Sequence, residues 1–439
     1  MLHPNKRLQT PWNYAQLGLL IFPLIPWLGA LGLFLALVGT WRRQYHDIIH
    51  RPLNWILAVL AGWLVITSGL AVYPLDAFLG LFNFLPFFSF FAAFSALIQT
   101  LAQLRQLAYI LVVTSVPVVL IGLGQLFWGW VSPVELQGIL GWVLTPQGNP
   151  PGRIASVFMY TNVLAGYLVI IFILALGLLI TSFQEPKGQK NSSPRPSSLI
   201  PRLFLTVAVI GNLVALILTN SRNAWAIAVC AGITFAIYQG WRWLEVGVAA
   251  IAGSVLGAAF GPSPLRQWLR QVIPSFFWQR LTDQMYPNRP LGSLRKTQWQ
   301  FAWNLTQQRP WTGWGLRNFT PLYEAQMHAW LGHPHNFFLM LTAEIGIPAT
   351  ILFCGWIIWI VFQGIQLLSN WSRIGRTGEG AITQDRLIFF SYLLAFAACI
   401  LFNTVDVSLF DLRLNTLGWL LLSAIGGVVY HYRDTVPSK

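Results

Sequence analysis

Residues 155–182 read ASVFMYTNVLAGYLVIIFILALGLLITS, without a single Asp, Glu, Lys or Arg. Crossing the hydrocarbon layer of a bilayer takes about 20 consecutive apolar residues in a helix. The run meets that length and shows no strand-like alternation, so it predicts a membrane-spanning helix. Runs of the same kind recur near 54–72, 77–99, 107–130, 203–219, 223–240, 243–260, 336–364, 387–404 and 414–431. The composition agrees. The 439-residue chain is 55% hydrophobic and 9% charged, whereas a soluble domain carries about 25% charged residues. Its 22 tryptophans fit interfacial belts, with Trp128 and Trp130 ending one run and Trp241 and Trp243 flanking a turn.

The formal charge of +14 is assigned to cytoplasmic loops and not to nucleic-acid binding. Cys230, Cys354 and Cys399 each lie in an apolar run and offer neither a disulfide framework nor metal-ligand spacing. The first apolar run follows Lys6 and Arg7 and reads as an uncleaved helix.

Segment 15–40 is long for one span and short for two. As one span it separates Lys6 and Arg7 from Arg42, Arg43 and Arg51; as a hairpin it puts all five on one side. The hairpin gives about twelve spans with both termini cytoplasmic. The inside loops then hold Arg105, Lys187, Lys190, Arg195, Arg202, Arg242, Arg373, Arg376, Arg386 and Arg433, which follows the positive-inside rule. Residues 183–202, rich in Pro and Ser, read as a linker. The expected organisation is one membrane domain in three parts: helices in 1–260, a basic extracytoplasmic loop at 261–334, and helices in 335–439.

That loop carries Arg266, Arg270, Arg280, Arg289, Arg295, Lys296, Arg309 and Arg317 against only Asp283 and Glu324. A cationic surface at an outer membrane face suits an anionic, membrane-bound ligand. Leu265, Trp268, Leu269 and Val272 follow helical spacing and predict a short amphipathic helix on the membrane, with Arg266, Gln267 and Arg270 turned away from it. A second helix is expected from about 294 to 308, stopped by Pro310 and followed by a turn at Gly313-Trp314-Gly315.

Several residues have the chemistry for a site. An arginine can grip a diphosphate through two nitrogens, or simply anchor the surface on lipid phosphates. Arg222, in the short turn Thr219-Asn220-Ser221-Arg222-Asn223, is the more specific candidate, because a charge between two close spans must face the surface or a cavity. Arg153 has a weaker case. His335, in His333-Pro334-His335-Asn336, can accept a proton from a hydroxyl near neutral pH. Glu344 lies nine residues on, about 13 Å along a helix and on about its opposite face. It is expected to pair with a polar group on another span and not to orient His335. Asp406 and Asp411, with Arg413, read either as a solvated turn or as a contribution to acceptor binding. There is no phosphate-binding loop, no Gly-x-Ser-x-Gly and no His/Cys cluster in sequence, so no metal and no cofactor is expected.

The order of these features resembles the O-antigen ligase and polymerase superfamily: Ser221-Arg222, a large late loop, Arg295 before Trp299 and Trp303, the Pro-Trp-Thr-Gly-Trp-Gly turn, then His335-Asn336 with Glu344 and Gly346. The resemblance covers most of the chain, with its core from Arg153 to Gly346. It implies an all-α integral membrane glycosyltransferase of the GT-C type that takes a glycan from a polyprenyl-diphosphate carrier and passes it to a lipid or glycan acceptor in the plasma membrane. It implies that Arg222 and Arg295, and more loosely Arg153, bind the diphosphate, and that His335 activates the acceptor hydroxyl. Arg289 and Arg317 are further candidates for the diphosphate, and Ser221, Asn336 and Glu344 for support. Residues 330–336 give the chain the look of a cyanobacterial branch labelled as inorganic-carbon transporters. Transport of a small anion, and a scaffold that only binds lipid phosphates, are therefore the competing readings.

Overall fold

The computed structural model describes residues 3–184, 199–282, 284, 294–374 and 381–432. Its named elements are all helical. The first two are α1 (Gln9–Ile21) and α2 (Pro26–Ile49), packed as a tight hairpin. Glycines make the close approach workable: a Cβ on Gly29 would stand 2.3 Å from Phe22 Cα. Arg43 donates to the carbonyl of Arg7, so the two basic clusters share one end. The hairpin alternative for 15–40 is the one the chain adopts, with its second arm running on to Ile49.

The next elements are α3 (Pro52–Gly69), α4 (Pro74–Gly80), α5 (Leu85–Leu97), α6 (Leu101–Trp128) and the short α7 (Val134–Leu140). Then come α8 (Thr161–Phe183), α9 (Leu199–Leu218), α10 (Arg222–Gln239) and α11 (Arg242–Phe260). The basic stretch holds α12 (Ser263–Val272), α13 (Ser275–Leu281), α14 (Arg295–Gln308) and α15 (Phe319–Met327). The chain closes with α16 (Phe337–Ile345), α17 (Ile347–Ile374), α18 (Ala381–Asn403) and α19 (Leu412–Tyr432).

Among the described residues, nine helices are long and apolar enough to cross a membrane. The expected twelve included α1, α2 and α10, which fall short of that standard. Thirteen residues in α1 give only about 20 Å of helix, the last turns of α2 carry Arg42, Arg43, Gln44, His46 and Asp47, and α10 opens on Arg222-Asn223. The span expected at 336–364 is broken at Gly346, whose φ of 82° ends α16. The run near 77–99 is interrupted by a 3-10 turn at Leu81–Asn83.

Burial follows the sequence. In α8, which carries the most apolar run, 83% of the span is buried, and it packs against α6, α9 and α18. Only 11% of α11 is buried, so its apolar surface is left for lipid. In α12, Leu269 is buried while Leu265, Trp268 and Val272 are exposed. Arg270 does not point away as expected: its Nε donates to the Ala258 carbonyl at 2.8 Å and its guanidinium lies 4.1 Å from the Trp278 ring.

Candidate active site

The site begins where α9 ends. The last carbonyls of a helix lack internal partners and form the negative end of its dipole. Here those of Thr219 and Asn220 gather cations. Arg153 Nε donates to Thr219 O at 2.8 Å and Arg280 Nε to Asn220 O at 2.8 Å. Asn220 takes a φ of 56°, a left-handed turn conformation its side chain tolerates. The chain then reverses through Ser221, the N-cap of α10, and Arg222 starts that helix. Arg222 reaches back to the Leu281 carbonyl at 3.4 Å. Arg153, Arg222 and Arg280 thus surround one three-residue turn.

The loop that carries Arg153 is fixed by Gln125, buried in α6. Its Oε1 accepts from the main chain of Ala155 at 3.1 Å and of Ser156 at 2.7 Å, and its Nε2 donates to Thr145 O at 2.8 Å. Thr161 Oγ1 lies 3.0 Å from Thr219 O and ties the same loop to the α9 terminus. Tyr160, just before α8, stands in the field of Asp406 and of two arginines. Burial, then Asp406, raises its phenol above the ordinary range against the opposing pull of Arg153 and Arg295. Arg295, exposed as the first residue of α14, therefore lies, like Arg153, within electrostatic reach of Tyr160.

On the opposing side, His335 Nδ1 lies 3.2 Å from Asp406 Oδ1. Asp406 sits in the buried turn between α18 and α19 and also accepts the Val407 N–H at 2.9 Å. Burial alone would raise its carboxyl. The hydrogen bond and charge of His335, with help from His333 and Val407, outweigh burial and hold it below the usual range. An ionised carboxylate only accepts, so Nδ1 carries a proton, and in the neutral imidazole the lone pair is then on Nε2. That is the form a general base needs.

His333 stands beside the pair, with Nε2 3.9 Å from Asp406 Oδ1 and Nδ1 accepting the His335 N–H at 3.2 Å. Burial first, then His335 and Arg295, push it down to about 4 against the pull of Asp406, so it is neutral near pH 7. His333, His335 and Asp406 offer three ligand atoms within 4.8 Å of one another and could by chemistry hold a metal ion. The sequence expectation named no metal ligands, because Asp406 is distant in sequence. As they stand, these groups are engaged with one another in hydrogen bonds.

The turn between α18 and α19 is not the solvated turn the sequence suggested. Asp411 caps α19, accepting from Arg413 N at 3.0 Å and Leu414 N at 2.9 Å. Arg413 is buried, donating to Val157 O at 2.8 Å with its guanidinium 4.1 Å from the Phe158 ring. Asn223 Nδ2 donates to Phe402 O at 3.3 Å and so ties the arginine turn to the end of α18 that leads into Asp406.

Glu344 has a different partner from the one expected. It is buried, and its carboxylate accepts main-chain N–H groups of Arg317 and Phe319, the latter at 3.4 Å, and not a group on another span. Its main-chain carbonyl accepts Gly315 N at 2.8 Å. Burial pushes the carboxyl up to about 8 against those bonds. Asn336 is the N-cap of α16, with Oδ1 accepting Leu339 N at 3.0 Å. Arg317 is exposed on the Glu344 side, packed over Gly80 of α4. No described contact joins it to the His335 pair. Arg289 lies outside the described residues.

Sequence reasoning missed the placement of three residues. Asp406 was named but not linked to His335, Arg280 was one loop cation among eight, and Tyr160 was not singled out. The only available signal for Asp406 was an acid in a short turn next to apolar runs that offer it few other partners. No curated protein matches the chain. A family model described as O-antigen ligase matches residues 204–354, from α9 through the arginine turn, the basic stretch and His335 into α17. Arg153 and Asp406 lie outside the matched segment, yet the fold delivers both to it. This multi-helix membrane chain therefore holds, over residues 204–354, a segment similar to the O-antigen ligase family.

Proposed function

We propose that the protein takes a glycan from a polyprenyl-diphosphate carrier at the outer face of the plasma membrane and joins it to an acceptor hydroxyl. In this reading both termini are cytoplasmic, the 261–334 stretch lies outside, and the acceptor is a lipid or a glycan. His335 Nε2 takes the proton as the acceptor oxygen attacks the anomeric carbon. The bond from that carbon to the diphosphate oxygen breaks, and its electron pair leaves with the diphosphate. Arg153, Arg222 and Arg295, joined by Arg280, stabilise that growing charge; fixed cations aimed at developing charge are typically the largest catalytic contribution. One direct displacement inverts the anomeric centre. A diphosphate is already a good leaving group, so the step needs no metal.

The observation that carries this reading is the His335–Asp406 pair at 3.2 Å, with Asp406 on the turn whose leading helix end is tied to the arginine turn through Asn223. The test is steady-state transfer by purified protein in lipid, with lipid-linked glycan from its own host as donor. His335→Ala is expected to lower kcat by about 10²- to 10⁴-fold, the usual worth of a general base. Arg222→Ala is expected to lower kcat/KM for the donor, with the fold retained by circular dichroism. Transfer by His335→Ala at the wild-type rate would sink the assignment.

A further inference from the structure

Between α14 and α15 lies a polar groove of about 280 Å³, lined by Lys296, Thr297, Gln300, Phe301, Asn304, Gln326 and Met327. Lys296, Gln300 and Asn304 recur every four residues, so they stand on one face of α14, over about 12 Å of helix at 1.5 Å per residue. Gln326 faces them from α15. The groove has a fixed floor: Phe301 is buried, with its ring 5.0 Å from Tyr323 and 5.7 Å from Phe319. No hydrogen bond within the described residues engages the side chains of Lys296, Thr297, Gln300, Asn304 or Gln326, although other polar residues of α14, such as Thr306, are bonded internally. The row starts one residue after Arg295, whose charge is felt at His333 and Tyr160.

We infer that this groove binds the sugar units of the donor glycan that follow the one joined to the diphosphate. Side-chain amides both donate and accept, so Gln300, Asn304 and Gln326 match the hydroxyl groups of a sugar, while Phe301 and Met327 present an apolar surface to its C–H face. Such a mixture of apolar floor and a few convergent polar groups is what a small-molecule site requires. With the carrier diphosphate at Arg295, a glycan leading away from it meets Lys296 first and Asn304 last. The inference rests on the transfer reading for its direction. The recognition of a glycan stands on the groove alone.

Two variants test it, Gln300→Leu combined with Asn304→Leu, and Gln326→Trp, which fills the groove from the other helix. All of these positions are exposed, so folding is spared. Each variant is assayed with full-length lipid-linked host glycan and with undecaprenyl diphosphate bearing one N-acetylglucosamine. The expected result is at least a tenfold rise in donor KM for the long glycan, kcat within about twofold, and less than a threefold change for the one-sugar donor. An unchanged KM for the long donor, an equal loss with both donors, or a rise in acceptor KM instead would overturn it. Glycan freed from the host carrier by mild acid is titrated calorimetrically into wild type and variants as a separate measure. Binding lost in the variants upholds the groove even where wild type transfers nothing, which would defeat the transfer reading alone. Binding equal in all three proteins would overturn the groove.

Discussion

Asp406 determines what His335 can do. With the carboxylate holding Nδ1–H at 3.2 Å, the neutral ring has its lone pair on Nε2. Asp406→Asn places an amide there that can donate as well as accept, so the imidazole loses its fixed tautomer. The expected outcome is a fall in kcat of about 10²- to 10⁴-fold, with the thermal midpoint within a few degrees and partial recovery in Asp406→Glu. Undiminished kcat in Asp406→Asn would make the contact merely structural. Glu344 makes a prediction of another kind. Its carboxyl is raised from 4.5 to about 8 in the fold, so the unfolded chain binds fewer protons between those values. Its contribution to stability is complete below 4.5 and is lost as pH rises through about 8. The thermal midpoint should fall between about pH 4.5 and about pH 8 and level off above that, and Glu344→Gln should flatten that fall; a flat wild-type profile contradicts the argument. At this scale the sequence disclosed types and not pairs. It marked His335 and Arg222 through their local context, but it could not join His335 to an acid 71 residues away.

The elements show where local signals sufficed. The apolar runs of α6, α8, α9, α11, α18 and α19 lie close to where hydropathy put them, because a long uncharged helix has few alternatives. Pro310 and the paired glycines marked the end of α14 and the turn after it, where Gly313 and Gly315 have φ of 68° and 100°. The break between α16 and α17 was not legible, since Gly346 sits inside a continuous apolar run. Its reason is tertiary. The turn at 313–315 docks on the end of α16, with Trp314 N donating to Ala343 O at 2.9 Å and Ile347 N donating to Pro310 O at 2.8 Å. A Cβ at Gly346 would stand 2.2 Å from the Trp311 carbonyl, on a residue already at φ 82°. Gly346→Ala should therefore destabilise the protein by about 2 kcal/mol or more, read as a lower thermal midpoint together with weaker transfer. A midpoint unchanged from wild type would show that α16 and the turn are not tightly docked.

On the scale of the whole molecule, the site is an assembly of segments far apart in the chain: 153–160 before α8, 219–223 between α9 and α10, Arg280 in α13, Arg295 in α14, 333–336 before α16, and 403–411 between α18 and α19. Hydropathy predicts each span but not its neighbours. Sidedness argued from charge could say only that these segments share one membrane face. Their convergence depends on α8 packing between α6, α9 and α18. The family match fits this picture, since its segment supplies the arginine turn and His335 while the remaining helices deliver Arg153 and Asp406. In the proposed function these parts together move a glycan from a lipid diphosphate to a hydroxyl. Its most direct test uses proteoliposomes holding wild type or Asp406→Asn, supplied with lipid-linked host glycan and, separately, with labelled bicarbonate. Wild type is expected to release carrier diphosphate and form a new glycoconjugate, Asp406→Asn to lose both, and neither to accumulate bicarbonate. Bicarbonate accumulation by wild type without any glycoconjugate would contradict it.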